Sequence, residues 1–188
     1  NVHFVGHVNV PGVHMIHPFS NIVMGLNQAG GVNLRGSLRY LQVIRNNKIL
    51  KELDLYDYLF KGTSLNDIRL LDQDIVLVKP RYSTIPINGS IIRSGYYEAR
   101  AEETLGDLIR VAGGKDRSSN ENIYVYRNTN SPVEGDYILN FKEIGDFKII
   151  NGDSVHIPKM SISDKFVEIS GQIKNPGKYP FEKNMTLK

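Results

Sequence analysis

The residues with the most obvious chemical potential crowd one end of the sequence, where His3, His7, His14 and His17 lie close together. On a strand His3 and His7 share a side, and His14 comes across a hairpin, so a metal site is the first chemistry to weigh. Zinc needs three or four converging ligands. The chain offers no thiolate, because it contains no cysteine. The histidines also lack counterparts in the internal repeats described below. His7 aligns with Ser90 and Gln172, and His14 with Tyr97 and Tyr179. Surface histidines are expected, with no metal and no cofactor.

Catalytic groupings are also missing. There is no Gly-x-Ser-x-Gly elbow and no Ser/His/Asp set in a supporting context. Asp72 with Asp74, and Glu102 with Glu103, are paired carboxylates. Their places in a strand-entry turn and at a helix start explain them without catalysis. Ala29-Gly30-Gly31 and Ala112-Gly113-Gly114 follow a helix, whereas phosphate-binding glycines precede one. They read as helix stops. The expectation is a non-enzyme. Tyrosine is the remaining signal, with ten Tyr and no Trp in the chain. Arg93, Tyr96, Tyr97 and Tyr179 fall on a repeated hairpin, where aromatic faces with polar ends suit ligand binding or subunit contact.

These residues are positioned by a repeat. Gly6, Gly89 and Gly171 are each followed six positions later by Gly12, Gly95 and Gly177. The shared pattern is Gly-x-[Val/Ile]-x-x-[Pro/Ser]-Gly. The Ala-Gly-Gly marker recurs in phase, and "DIVLVKP" and "DSVHIPK" close two of the copies. Asn175-Pro176-Gly177 has the preferences of a type II turn, with positive φ expected at Gly177 and at Gly95. Each unit therefore opens with a β-hairpin, and its first glycine marks a bulge or a close backbone approach.

A short helix follows the hairpin. Leu105, Leu108, Ile109 and Ala112 form one apolar stripe, Thr104 with Asp107 resembles a capping box, and Gly113 suits the left-handed stop. Ile22, Leu26 and Ala29 repeat the stripe from Asn21, weakened by Gly25. Strands "RYLQVIR" and "NIYVYR" come next, each ending in a polar turn (Asn46-Asn47, or Asn128-Thr129-Asn130), then "ILKELDL" and "DYILNF". After a short connection comes a closing strand with Val76 and Val78, or Val155 and Ile157, on one face. The order predicts an α+β fold of tandem β-grasp units, each a small mixed sheet crossed by one helix. The expected domains are 1–80 and 84–159, joined by a short linker near residues 81–84, with another near 160–164. Residues 165–188 read as the opening hairpin of a third copy, stopping where Thr186 aligns with Thr104.

The 188 residues are 40% hydrophobic and 23% charged with net charge +3, which is globular and too weakly basic for a nucleic-acid partner. Apolar runs are far shorter than the ~20 residues of a membrane span. No signal peptide opens the chain, which reads as a piece of something longer.

The run Gly-x-[Val/Ile]-x-x-Pro-Gly-x-Tyr, the run Thr-Leu-x-Asp-Leu-Ile-x-x-Ala-Gly-Gly and the closing Asp-x-Val strand resemble the SLBB domain, the soluble-ligand-binding β-grasp. The resemblance covers essentially the whole chain and is strongest over 87–157. It is weaker in the first copy, where Ser20-Asn21-Ile22-Val23 replaces the better helix start. Tandem SLBB copies resemble the periplasmic part of outer-membrane polysaccharide export proteins. This implies a homo-oligomeric ring that encloses a passive channel for capsular or exopolysaccharide, at the periplasmic face of the outer membrane of a Gram-negative bacterium. An inner-membrane polysaccharide co-polymerase is the implied partner. A poly-export domain with a lipid-bearing cysteine is expected upstream, and a membrane-spanning helix downstream. The alternative is a periplasmic ligand-binding or adaptor module that recognises a small solute or glycan. SLBB domains also resemble those of DNA-uptake proteins, but the chain lacks paired helix-hairpin-helix motifs.

Overall fold

A computed structural model describes residues 1–65, 68–128, 135–160 and 166–180. Thr129 and Asn130 of the second polar turn, most of the linker after Met160 and the expected helix start at Thr186 lie outside the described residues. The chain divides into two compact units. One comprises Asn1–Ile85, Tyr96–Glu103 and Lys148–Gly152; the other comprises Pro86–Gly95, Thr104–Phe147 and Asp153–Lys188.

The first repeat runs β1 (Val2–Gly6), β2 (Gly12–His14), α1 (Ile22–Gln28), β3 (Gly36–Arg45), β4 (Lys48–Leu53), α2 (Leu55–Lys61) and β5 (Ile75–Pro80). Its sheet has the order β2-β1-β5-β3-β4. The β1–β5 pair is parallel and the other pairs are antiparallel. The second repeat runs β6 (Ile85–Gly89), β7 (Gly95–Tyr97), α3 (Leu105–Val111), β8 (Asn122–Arg127), β9 (Gly135–Asn140) and β10 (Asp153–Ile157). Its order is β7-β6-β10-β8-β9, with β6 and β10 parallel. Strand for strand, this is the first sheet again, and the fold is α+β as the sequence predicts. A last antiparallel hairpin joins β11 (Phe166–Ile169) to β12 (Gly177–Pro180).

The period-two pattern puts Val2 and Phe4 of β1, Leu41 and Val43 of β3, and Val76 and Val78 of β5 in one core, with Ile22, Leu26 and Ala29 of the α1 segment packed in. Val155 and Ile157 are likewise fully buried in the second sheet. The caps match their residue types. The Asn21 side chain accepts from Met24 N (3.0 Å). Thr104 and Asp107 form a reciprocal box, which holds the Asp107 carboxyl below its usual range through the Thr104 amide and hydroxyl.

Two features depart from expectation. First, Gly95 and Gly177 do not take positive φ; Gly6 (+78°), Gly89 (+94°) and Gly171 (+109°) do. A Cβ on Gly6 would lie 2.2 Å from Val78 O, and one on Gly89 2.0 Å from Ile157 O. The glycine is needed where β1 or β6 leaves its parallel partner, and the tip is a wider loop. That loop is tied to the helix end instead: Val10 N donates to Ala29 O (2.9 Å) and Arg93 N to Ala112 O (3.0 Å). The hairpin motif and the Ala-Gly-Gly motif recur together because they bond to each other.

Second, α2 interrupts the expected connection. Asp54 caps it by accepting from Tyr56 N (2.9 Å), Lys61 pairs with Asp57 one turn back, and Gly62 ends it at φ +70°. Those signals stand in the sequence, but the preceding strand pattern masks them. Among the described residues the first repeat thus has two helices and the second one.

The closing Asp of each repeat has a partner at the end of the strand after the helix. Arg45 Nε and Nη2 donate to Asp74 Oδ1 and Oδ2 at 2.7 and 2.8 Å. Arg127 makes the same pair of bonds to Asp153 at 2.7 and 2.8 Å. Both carboxylates are buried, and such bidentate pairing is what makes a buried charge tolerable.

Candidate functional site

The four residues singled out from the hairpins occupy different settings. Arg93 sits on the exposed loop between β6 and β7, where its Nη2 donates to Val111 O (2.7 Å), so the guanidinium bonds the last turn of α3. Tyr96 is exposed and Tyr97 is buried, because neighbours on a strand face opposite ways. The Tyr179 hydroxyl donates to Asn175 O (2.7 Å) within the last hairpin. Only Tyr96 offers an open ring, and the strand does not present the two adjacent tyrosines on one face.

The histidines serve local backbone and side-chain contacts. His14 Nε2 lies 2.9 Å from Val10 O, and His17 Nδ1 accepts from Phe19 N (3.3 Å). Among the described residues no group of three or more His, Asp or Glu side chains could hold a metal ion. The paired carboxylates are also engaged. Burial opposes the charge of Asp74, but the Arg45 guanidinium and Leu71 N outweigh it and hold this carboxyl below its usual range. Glu102 accepts from Lys148 Nζ (2.8 Å).

The most heavily charged interior lies in the first unit, around Arg39 of β3. Its Nε and Nη2 donate to Asp54 (3.1 and 3.0 Å), its Nη2 and Nη1 to Glu103 (2.6 Å for the first), and its Nη1 to Glu98 O (3.0 Å). These five bonds use every donor a guanidinium has. Its plane also lies over the Tyr56 ring at 4.6 Å. Burial disfavours the Arg39 charge, yet the bonds to Glu103 and Asp54 raise its pKa. Glu98 is buried beside it and accepts from Ser37 Oγ (2.6 Å) and Leu38 N (3.0 Å). Burial pushes the Glu98 carboxyl up, against those two bonds. With all five Arg39 donors consumed internally, this cluster fixes the Tyr96–Glu103 segment within its unit. Sequence reasoning missed it because Arg39, Asp54 and Glu103 are distant along the chain.

The same unit carries three adjoining surface hollows, of about 390, 380 and 280 Å³, and Arg69 lines all of them. Phe19, 77% exposed, stands between two of them, with the Arg69 guanidinium 5.4 Å from its ring centre and the His17 ring 5.5 Å away. Neither Phe19 nor Arg69 belongs to a repeated motif, so nothing in the repeat pattern draws attention to them. Among the described residues no helix is long and apolar enough to cross a membrane.

Comparison with known proteins gives the chain a context. The SLBB domain family model matches residues 1–52. Two relatives, each a polysialic acid transport protein KpsD of Escherichia coli, are 32% identical to the chain over 100 residues. The aligned stretch is 53% of this chain and 18% of each relative, so the chain spans only a small part of those proteins. The chain thus carries an SLBB match in its first repeat and, over about half its length, is similar to polysialic acid transport proteins.

Proposed function

We propose that this chain is a periplasmic segment of an outer-membrane polysaccharide export protein, whose SLBB units assemble into a ring around a passive conduit for capsular or exopolysaccharide. The similarity to polysialic acid transport proteins over half the chain carries the reading. We take residues 1–80 and 84–159 as two SLBB domains in tandem, supported by the identical strand order of the two sheets. Residues 165–188 then open a third. The role is mechanical, not enzymatic: buried charges such as Arg39 and Asp74 are spent on holding the fold. Met15, Leu34, Ile92 and Ile138 are large apolar side chains left exposed, which suits contacts with further copies. An inner-membrane co-polymerase would drive the polymer through.

The test is the native mass of the full-length protein, extracted gently from membranes, alongside polymer export by cells lacking its gene. A large closed homo-oligomer and loss of surface polymer are expected. A monomer in cells that export normally would sink the reading.

A further inference from the structure

We propose that the open face of the second sheet is a platform for an uncharged stretch of glycan, with sugar rings laid on Tyr124 and Tyr126 and their hydroxyls met by Asn88, Asn122 and His156. This deepens the export reading and rests on it for the nature of the polymer.

Strand alternation puts these residues on one face, all within the second unit. Ile123 and Val125 of β8 are fully buried, so Tyr124 and Tyr126 point away from the core. The pairing of β6, β10, β8 and β9 then sets their neighbours in rows. Asn88, His156, Tyr124 and Ile138 form one row; Ser154, Tyr126 and Asp136 form the next; Asn122 stands beside Asn140 in a third. The two tyrosines are about 7 Å apart along the strand. A pyranose presents C–H groups on its face and hydroxyls at its rim, which matches aromatic rings flanked by amides and an imidazole. These groups are also unspent. Among the described residues neither ring meets another ring or a cation, and neither tyrosine hydroxyl has a hydrogen-bond partner. Tyr126, Asn88 and Asn122 are exposed. His156 Nδ1 lies 2.6 Å from Asn88 Oδ1, an acceptor, so Nδ1 carries the proton. Nε2 of the neutral ring is left to accept from a hydroxyl, and the Asn88 amide keeps its NH2 to donate to one.

Charge decides the class of ligand. No lysine or arginine stands in these rows, and Asp136 is exposed at their edge, so an acidic polymer is repelled and an uncharged one is not. A second copy is the poorer occupant. The centre of such an interface is apolar, whereas here the centre carries the polar tips of Tyr124 and His156, and the exposed Ile138 lies on the edge strand. The first repeat shows what the same scaffold does without this demand. In the matching register, Val5, Leu77, Gln42 and Glu52 stand where the second repeat has Asn88, His156, Tyr124 and Ile138. Ile75 and Ile44 stand in place of Ser154 and Tyr126. Gln42 is buried and its amide donates to Glu52, so that face is mainly aliphatic with its polar pair closed. Building the sheet therefore does not call for tyrosines and amides at these positions, and a ligand accounts for them. The platform is open to solvent, so each sugar is held weakly, as transit of a long polymer requires.

The test is an amide NMR titration of the whole chain with tetramers of N-acetylglucosamine, glucose and sialic acid. Millimolar binding of at least one neutral tetramer is expected, with shifts confined to residues 88, 122–126, 136–140 and 154–156. The acidic tetramer should bind several-fold more weakly. Tyr126→Ala should weaken neutral binding several-fold, whereas Tyr126→Phe keeps the ring and most of the affinity. Asp136→Asn should leave neutral binding unchanged and strengthen that of the sialic acid tetramer, an effect that added salt removes. Both residues are exposed, and circular dichroism checks that the variants stay folded. No binding of either neutral tetramer, shifts elsewhere, an unchanged Tyr126→Ala, or tighter binding of the acidic tetramer would each overturn the proposal. Shifts of the same amides on concentrating the protein alone would assign the face to a second copy and overturn it too. Export by cells lacking the gene reports on the conduit separately. Lost export with an inert face would spare the conduit and refute the platform, whereas normal export with a binding face would do the reverse.

Discussion

Gly25 poses a quantitative question. It sits in the middle of α1, where glycine costs about 0.8–1 kcal/mol relative to alanine. Gly25→Ala would therefore stabilise an isolated helix. In the fold, however, a Cβ there lies 2.6 Å from Phe4 Cζ, and Phe4 is fully buried. Ordinary contact is reached near 3.4–4 Å, so the ring must give way by about an ångström in a packed core. Overpacking of this kind costs about 1–3 kcal/mol. The net expectation is a loss of about 0–2 kcal/mol in the native background. Phe4→Leu alone costs about 1–2 kcal/mol for the buried atoms it removes. With the ring gone, Gly25→Ala keeps only its helical gain and should stabilise by about 1 kcal/mol. The same substitution thus changes sign with its neighbour, a coupling of about 1–3 kcal/mol. The second repeat shows the exchange already made, with Ile87 and Leu108 at the aligned positions, both buried. Urea unfolding of the four proteins measures the cycle, followed through the amide signals of Leu41 and Val43 so that the first unit is read by itself. Gly25→Ala stabilising both backgrounds equally would refute the argument, because the ring would then have no part in the choice of glycine.

Acid should weaken the first unit through Asp74. Its folded pKa is depressed, so the stability it lends is full above the unfolded carboxylate value and is lost as pH falls through the folded one. Asp74→Asn should melt lower at neutral pH and lose less on acidification; parallel melting curves for the two proteins across that range would contradict the pairing. Around Arg39, removal to Ala strands the buried Asp54 carboxylate and the partly buried Glu103 and should cost about 3–5 kcal/mol. Arg39→Lys should recover less than half of that in thermal melts, since an ammonium has three donors where the guanidinium uses five.

Much of the fold was legible along the chain because the relevant interactions are local or periodic. The apolar stripe of α3, the Thr104–Asp107 box, the alternation in β5 and β10 and the repeat itself all follow from spacing over a few residues or from copying. The α+β class and the resemblance to SLBB domains follow from the same signals. α2 was also written in its caps, but its neighbourhood read as strand.

Side-chain exposure and the charge cluster were another matter. A hairpin tyrosine is visible in the sequence, yet whether its ring is open, as at Tyr96, or buried, as at Tyr97, depends on which side of β7 meets the core. Arg39 meets Asp54 and Glu103, and Arg69 meets Phe19, only because the chain returns across long separations. By itself the sequence determined the repeated α+β units and the helix starts at Asn21 and Thr104, since each depends on near neighbours or on copying. Tertiary structure alone decided which charges are spent inside and which face solvent, because pairing and solvent exposure are set by residues that become neighbours only on folding.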